Sequence, residues 1–545
     1  MSEPVEAPNV LHIRGPELAV WSTANAGEAM PGVLTPLNWS IFGDVAELSM
    51  RSGFHQMGVL SAKELRLPDD VHQRCIGIFF GHAALKVDFL CEMASRMPGG
   101  DGATAAMQIL GSAPPGLPQG AQAWRYPFIA LRLPWLWLTF NRRLDRQLRA
   151  TSVDWWRDRI GKAESLTLAE AKDQMREGYQ HFLDTTTLQT ISLAAVIQPA
   201  FAALSTLIEK AQRLDLRGDL MAGYGSHAES SMVCDMWAIS RGRKSLEEFV
   251  SEHGYHGPRE GEISSKVWRE DPAPLRRMID GYQRLGDESD PALLEAEKMQ
   301  RRLIAERELL GALPGWYRPL GKLILRIAGH FVPTRGMGKA AEIRAMDVLR
   351  ATARRMGQLL MQAGVMDASD DVFYLTYDEL MGEVPGDAKQ LVIERKRLVK
   401  RYALLDLPRW WRGPQPVPVL AAAPQISSAV TMLQGIAASM GIVEGVVEVV
   451  TDPNRSDVPH GCILVTPTTD PSWVPLMFLS KALVVDTGGA LSHAAVVARE
   501  LGIPCVVGTN HGSRSLRSGD YCRVDGGAGT VKVLRRAATA DHQTP

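Results

Sequence analysis

The chain reads as multidomain: a large, mainly α-helical domain followed by a compact α/β domain. Three observations predict this. Apolar residues recur at 3.6-residue spacing through 166–208, 293–310 and 343–363, the mark of helices with one buried face. Five prolines then fall within the 17 residues 408–424. Beyond them, short apolar runs alternate with glycine-rich turns across 433–534, as strands and helices of an α/β unit do.

The elements follow in order. Residues 1–24 read as an irregular lead-in, and 25–407 as the helical domain, with few strand signals and with Gly/Pro-rich breaks at 98–120 and 254–272. Within it, 126–140 (YPFIALRLPWLWLTF) is apolar and aromatic and is followed by the basic run 142–149. It is too short to span a bilayer, and Arg132 and Pro134 interrupt it, so stable membrane insertion is not expected. A buried or pocket-lining segment is expected, with peripheral membrane contact as the alternative. Residues 408–430 read as a semi-rigid linker; its 17 proline-rich residues 408–424, at about 3.1 Å each, would reach roughly 50 Å. Residues 431–537 form the α/β domain, with strands expected at 441–450, 462–466, 482–485, 505–508 and 531–534, and 538–545 is a tail.

Composition narrows the function. With 60 Lys+Arg against 61 Asp+Glu there is no electrostatic case for a nucleic-acid partner. The six cysteines, Cys75, Cys91, Cys234, Cys462, Cys505 and Cys522, have no CxxC spacing, so no metal site or disulfide framework is expected. No basic segment followed by an apolar one opens the chain, and a cytoplasmic setting fits best.

The most informative stretch runs from Asp486 through Gly488, Gly489, Ser492 and His493 to Gly502-Ile503-Pro504. A buried strand at 482–485 is broken by two glycines; Ser492 then suits a helix N-cap, and Gly502 with Pro504 ends the helix. His493 therefore sits at a helix start, where backbone N–H groups and the helix dipole favour an anion. A histidine there is suited to carry a phosphoryl group, with Gly488, Gly489 and Ser492 as the phosphate-binding surround. The loop 466–475 reads either as a border of that phosphate or as a plain turn.

This run closely resembles the phosphohistidine signature of the phosphoenolpyruvate-utilising enzymes, whose members include pyruvate phosphate dikinase, phosphoenolpyruvate synthase and rifampicin phosphotransferase. Residues 31–40 (PGVLTPLNWS), 253–260 (HGYHGPRE) with 268–272 (WREDP), and 370–380 (DDVFYLTYDEL) resemble the substrate-binding domain of the rifampicin phosphotransferase-type proteins. The resemblance implies that 25–407 binds an acceptor, that 431–537 is a swivelling phosphohistidine domain, and that the linker lets it swing.

Three departures refine the expectation. About 20 residues precede the substrate domain, where such phosphotransferases carry an ATP-grasp domain. His493 is therefore expected to be charged by a separate ATP-grasp partner using ATP and Mg²⁺, with no cofactor bound by this chain. Only 52 residues follow His493, leaving no space for the phosphoenolpyruvate-binding barrel, so pyruvate is not expected as substrate. Finally, Leu491 stands where the dikinase has its regulatory threonine.

On the acceptor side, Arg335 and Lys339 would share one face of a helix start and could bracket a transferring phosphoryl group. The resemblance matches them to an Arg/Lys pair of the family, although Gly336 replaces the acidic residue that usually follows the arginine. His253, His256 and Glu260 form a polar cluster among glycines, and His256 or Glu260 is a candidate base for an acceptor hydroxyl. There Tyr255 stands where the family motif has its histidine. The Trp and Leu residues of 134–138, with Trp39, read as core packing, the alternative being an apolar acceptor pocket. The expected function is thus a phosphotransferase component delivering phosphate from His493 to a hydroxyl of a small, apolar organic acceptor. Its rivals are a non-catalytic binding protein with an idle swivelling domain and a membrane-associated scaffold.

Overall fold

A computed structural model describes residues 9–24, 26–110, 116–117, 122–224, 227–420, 431–454, 458–489 and 492–537. The architecture is a large helical region followed by a C-terminal α/β domain. The chain divides into two compact units. One holds residues 1–196, 259–265 and 338–421; the other holds 197–258, 266–337 and 422–545. The stretch 25–407, expected to be one domain, is thus shared between both units.

In the first unit, Pro36–Gln56 packs along Leu168–Ile191, with Phe42 and Phe182 meeting edge-on at 5.1 Å in the core. Thr35 caps the first helix and is itself tied down: its Oγ1 and N donate to the buried Glu262 carboxylate at 2.8 and 3.0 Å. Farther along, the fully buried Arg350 donates to Asp347 at 2.8 Å, and Trp156 Nε1 donates to the other Asp347 oxygen at 2.8 Å. One helical stretch of the described residues, Leu168–Lys210, is long and apolar enough to cross a membrane, and half of its most apolar window is buried in protein.

The first unit also contains a four-stranded sheet, ordered Ile76–Phe79, His82–Lys86, Val20–Ser22, Trp410–Arg412, where few strands were expected. Its hairpin turns on Phe80 (φ 47°) and Gly81 (φ 75°), both left-handed, the geometry that matches strand twist in a two-residue turn. Phenylalanine is a poor signal for such a turn, and that hid the strands. This sheet and a separate two-stranded one correct the linker. Trp411 pairs with Trp21 and is 7% exposed, and Leu405 pairs with Leu420. The proline-rich stretch is therefore integrated into this unit as far as Leu420, and residues 421–430 lie outside the described residues.

A second correction concerns 126–140. It is the first part of one helix, Tyr126–Ala150, that buries only Ile129, Leu136, Phe140 and Leu144. Trp135 and Leu138, expected in a core or pocket, are 64% and 77% exposed. Trp39 is half-buried against the main core of the unit.

The second unit is built on an eight-stranded sheet. Its order is Met432–Gln434, Thr530–Arg535, Tyr521–Asp525, Ile442–Val449, Ile463–Thr466, Ala482–Val485, Cys505–Val507, Ile436–Ser439. The four strands from Ile442–Val449 to Cys505–Val507 run parallel, and both middle ones are buried at every residue, as their unbroken apolar text requires. Helices Val474–Leu479 and His493–Leu501 cover one face. Their apolar side chains continue into those of His227–Ser240, Leu246–His253 and Ala273–Gln283, forming one core. Tyr282 marks the join: its hydroxyl donates to Pro475 O at 3.2 Å and its ring stacks on Phe478 at 5.4 Å.

Candidate functional site

The buried strand Ala482–Val485 delivers the chain to Asp486, whose N–H donates to Thr466 O at 3.1 Å. Thr487 donates to Pro467 O through its N–H (3.1 Å) and its hydroxyl (2.9 Å), so the loop after Ile463–Thr466 lies against the turn before the helix. Asp486 also accepts from Thr509 Oγ1 (2.9 Å) and from Ser513, which fixes the strand end from a third side. Gly488 has φ +116°, a conformation L side chains avoid, and it lets the chain reverse toward the helix. Ser492 N donates to Gly489 O at 3.0 Å, and Ser492 Oγ caps the helix by accepting from Ala495 N at 3.3 Å. The helix spans His493–Leu501 and ends at Gly502 (φ +73°). Ala490 and Leu491 lie outside the described residues.

His493 is half-buried at the first turn. Its Nδ1 lies 3.2 Å from Thr469 Oγ1, on the loop 466–475. Thr469 is 3% exposed, so the contact is rigidly backed. Nδ1 is engaged by Thr469, and the other ring nitrogen, Nε2, is buried. The helix start supplies the anion-favouring end of the dipole beside it.

Two further features of this helix were not legible as site features in the sequence. Lys298 Nζ donates to Glu500 O at 2.6 Å, placing a cation at the carbonyl end of the helix, where the dipole favours it. Burial pulls this ammonium down to about 8, against the opposing pull of Glu500. Arg499 donates from Nε to Ala438 O at 2.7 Å. Its guanidinium pKa is lowered, first by burial, then by the positive charges of Arg335 and Arg217 against the opposing effect of Cys505. Arg335 therefore lies within electrostatic reach of Arg499, which is in the last turn of the helix, at the end away from His493.

The other expected residues are placed less uniformly. Arg335 and Lys339 both lie at the start of Thr334–Gln362, as their spacing predicts, but the boundary between units falls between them. Lys339 Nζ donates to the buried Glu342 carboxylate at 2.9 Å, so its charge is already matched. His256 is 4% exposed, its ring 4.4 Å from that of Tyr255 and 5.8 Å from that of Trp268. Glu260 is buried too; it belongs to the first unit and His256 to the second. His253 Nε2 donates to Asp235 at 2.8 Å. Glu252 stands close enough to these two to suggest a metal trio, but Lys244 Nζ already bridges Asp235 (2.9 Å) and Glu252 (2.8 Å) as the cation. Burial lowers the His253 pKa despite Asp235, so the imidazole is held neutral.

Comparison with known proteins agrees with the motifs at 253–272 and around His493. Residues 458–529 match the family model described as PEP-utilising enzyme, mobile domain, and residues 195–335 that of the rifampicin phosphotransferase fourth domain. The chain is similar to rifampicin phosphotransferase of Bacillus cereus, at 28% identity over 57% of this chain and 37% of that protein. Rifampicin phosphotransferase of a Streptomyces species is 32% identical over 54% of this chain and 34% of its own length. An uncharacterized phosphotransferase of Bacillus subtilis, YvkC, is 28% identical over 54% and 37%. The chain spans about a third of the length of these relatives. The likeness is to rifampicin phosphotransferases, and His493 lies inside the mobile-domain match.

Proposed function

We propose that the chain is a phosphotransferase component in which His493 carries a phosphoryl group and passes it to a hydroxyl of a small organic acceptor. The observation that carries the reading is the capped helix start at His493, with Nδ1 against Thr469 and the dipole's positive end alongside. Similarity to rifampicin phosphotransferases supports phosphotransfer as the reaction class.

In charging, Nε2 attacks phosphorus, an N–P bond forms, and the P–O bond to the donor's leaving group breaks. Thr469 holds the ring so that Nε2 keeps its lone pair. In delivery, the acceptor oxygen attacks phosphorus, the N–P bond breaks, and the hydroxyl proton leaves to a base, restoring neutral imidazole. Arg335, which the resemblance matches to an arginine of the family, is the candidate for stabilising the transferring charge. The phosphoryl donor is ATP with Mg²⁺, handled by an ATP-grasp protein acting in trans, and the setting is cytoplasmic.

The test is incubation with ATP, Mg²⁺ and candidate ATP-grasp proteins, following phosphate on the chain. Acid-labile, base-stable label confined to His493 is the expected result. Label that resists acid, or none with any ATP-grasp protein, would remove the carrier role.

A further inference from the structure

The helix Tyr126–Ala150 is two-sided in an unusual way. At 3.6 residues per turn, its buried residues Ile129, Leu136, Phe140 and Leu144 form one stripe, and Leu136 and Phe140 are within 2% of full burial. Phe128, Leu131, Trp135 and Leu138 fall within an arc of about 80° on the opposite side. That second stripe is apolar yet faces outward: Leu131 and Leu138 are 78% and 77% exposed. Trp124, just before the helix, extends it, with Arg96 and Arg125 stacked on its ring at 5.4 and 5.1 Å.

One more turn along, the same arc is occupied by Arg142, Arg146 and Arg149, all exposed. Between Trp124 and Leu144 there is no acidic residue at all, and Asp145 is the one acidic side chain up to Ala150. An ordinary solvated face would mix charges of both signs. A protein–protein seam would not be expected to end in an uncompensated arginine row. Tryptophan and leucine at one end of a line, arginine at the other, with acid excluded, is the pattern of a helix lying in a membrane interface.

We propose that this face of Tyr126–Ala150 docks on an anionic lipid surface. The two Leu and the aromatic side chains enter the boundary between headgroups and acyl chains. Arg142, Arg146 and Arg149 pair with lipid phosphates, while the opposite stripe keeps the helix anchored in its own unit. Such binding is peripheral and reversible, because one short apolar stripe buries too little surface for insertion.

The experiment is sedimentation of the full chain with phosphatidylglycerol vesicles and, separately, phosphatidylcholine vesicles, at low and high salt. Wild type should co-sediment with phosphatidylglycerol at low salt and largely release at high salt. An Arg142→Gln, Arg146→Gln, Arg149→Gln variant should lose on the order of 100-fold in partition, at about fivefold per arginine. A Leu131→Ser, Trp135→Ser, Leu138→Ser variant should lose binding to phosphatidylglycerol even at low salt, with its melting transition unchanged because all three positions are exposed. Absence of wild-type binding to phosphatidylglycerol at low salt overturns the proposal, as do folded variants that bind like wild type. A self-associating wild type made monomeric by the serine variant would instead assign the face to a second copy of the chain, and equally overturns it.

Discussion

Thr469 Oγ1 stands 3.2 Å from His493 Nδ1, joining the loop after one parallel strand to the helix start after the next. Where Nδ1–H donates to this hydroxyl, the lone pair is on Nε2. Phosphorus NMR of charged protein should therefore find the phosphoryl group on Nε2. Thr469→Val should slow charging and delivery together by about tenfold or more, and Thr469→Ser should restore most of the rate. A mixture of Nδ1 and Nε2 phosphate in wild type would dismiss the orienting role.

His493→Ala should abolish acid-labile labelling and leave the fold intact, because the half-buried ring contributes little packing. Circular dichroism together with labelling separates loss of chemistry from loss of structure.

Arg335 and Lys339, matched by spacing, should part company in the laboratory. Arg335→Ala should cut single-turnover delivery by roughly 100- to 1,000-fold, and Arg335→Lys should recover little, since an ammonium lacks the planar fork. Lys339→Ala should instead lower stability, by about 1 kcal/mol, by stranding the buried Glu342 carboxylate, with delivery per folded molecule nearly unchanged. Equal loss of delivery in both alanine variants would restore the paired clamp.

Acid should loosen the second unit through His253. Its pKa is depressed in the folded state, so the unfolded chain binds the proton more readily. The stability it contributes is present above the unfolded value near 6.5 and is lost as pH falls through the lower folded value. Melting temperature should drop below about pH 6.5, and His253→Gln should flatten that dependence. An unchanged slope in the variant would transfer the effect to another group.

Leu479, 2% exposed where the α/β domain meets the helices, tests whether they share one core. Leu479→Ala should cost about 2–5 kcal/mol in denaturant unfolding. The α/β domain and the 227–285 helices should melt together in that variant. Separate transitions would mean that the domain folds apart from them.

The sequence was most legible where local chemistry dictates geometry. Gly488, Ser492 and Gly502 each have a backbone duty only a few residue types perform, so the turn, cap and stop around His493 could be read directly. Long helices followed from period alone. What escaped was set by distant partners. Trp410–Arg412 looked like linker because its prolines neighbour it, yet it is a strand through pairing with Val20–Ser22, nearly 400 residues away. Nothing in the sequence marks out Arg499 and Lys298. Their character comes from burial against segments the text does not put beside them.

The shared core of the second unit also sets a timetable for biosynthesis. Met232, Trp237, Phe249, Leu275 and Tyr282 are buried against residues between 438 and 507. They leave the ribosome roughly 150 residues before their partners, a delay of about 10–30 s at ordinary elongation rates. Throughout that interval a broad apolar face waits uncovered, with only contacts distant in sequence able to close it. The nascent chain is then a natural client for a holding chaperone, and a ribosome that stalls between codons 285 and 436 would leave a sticky fragment rather than a smaller working protein.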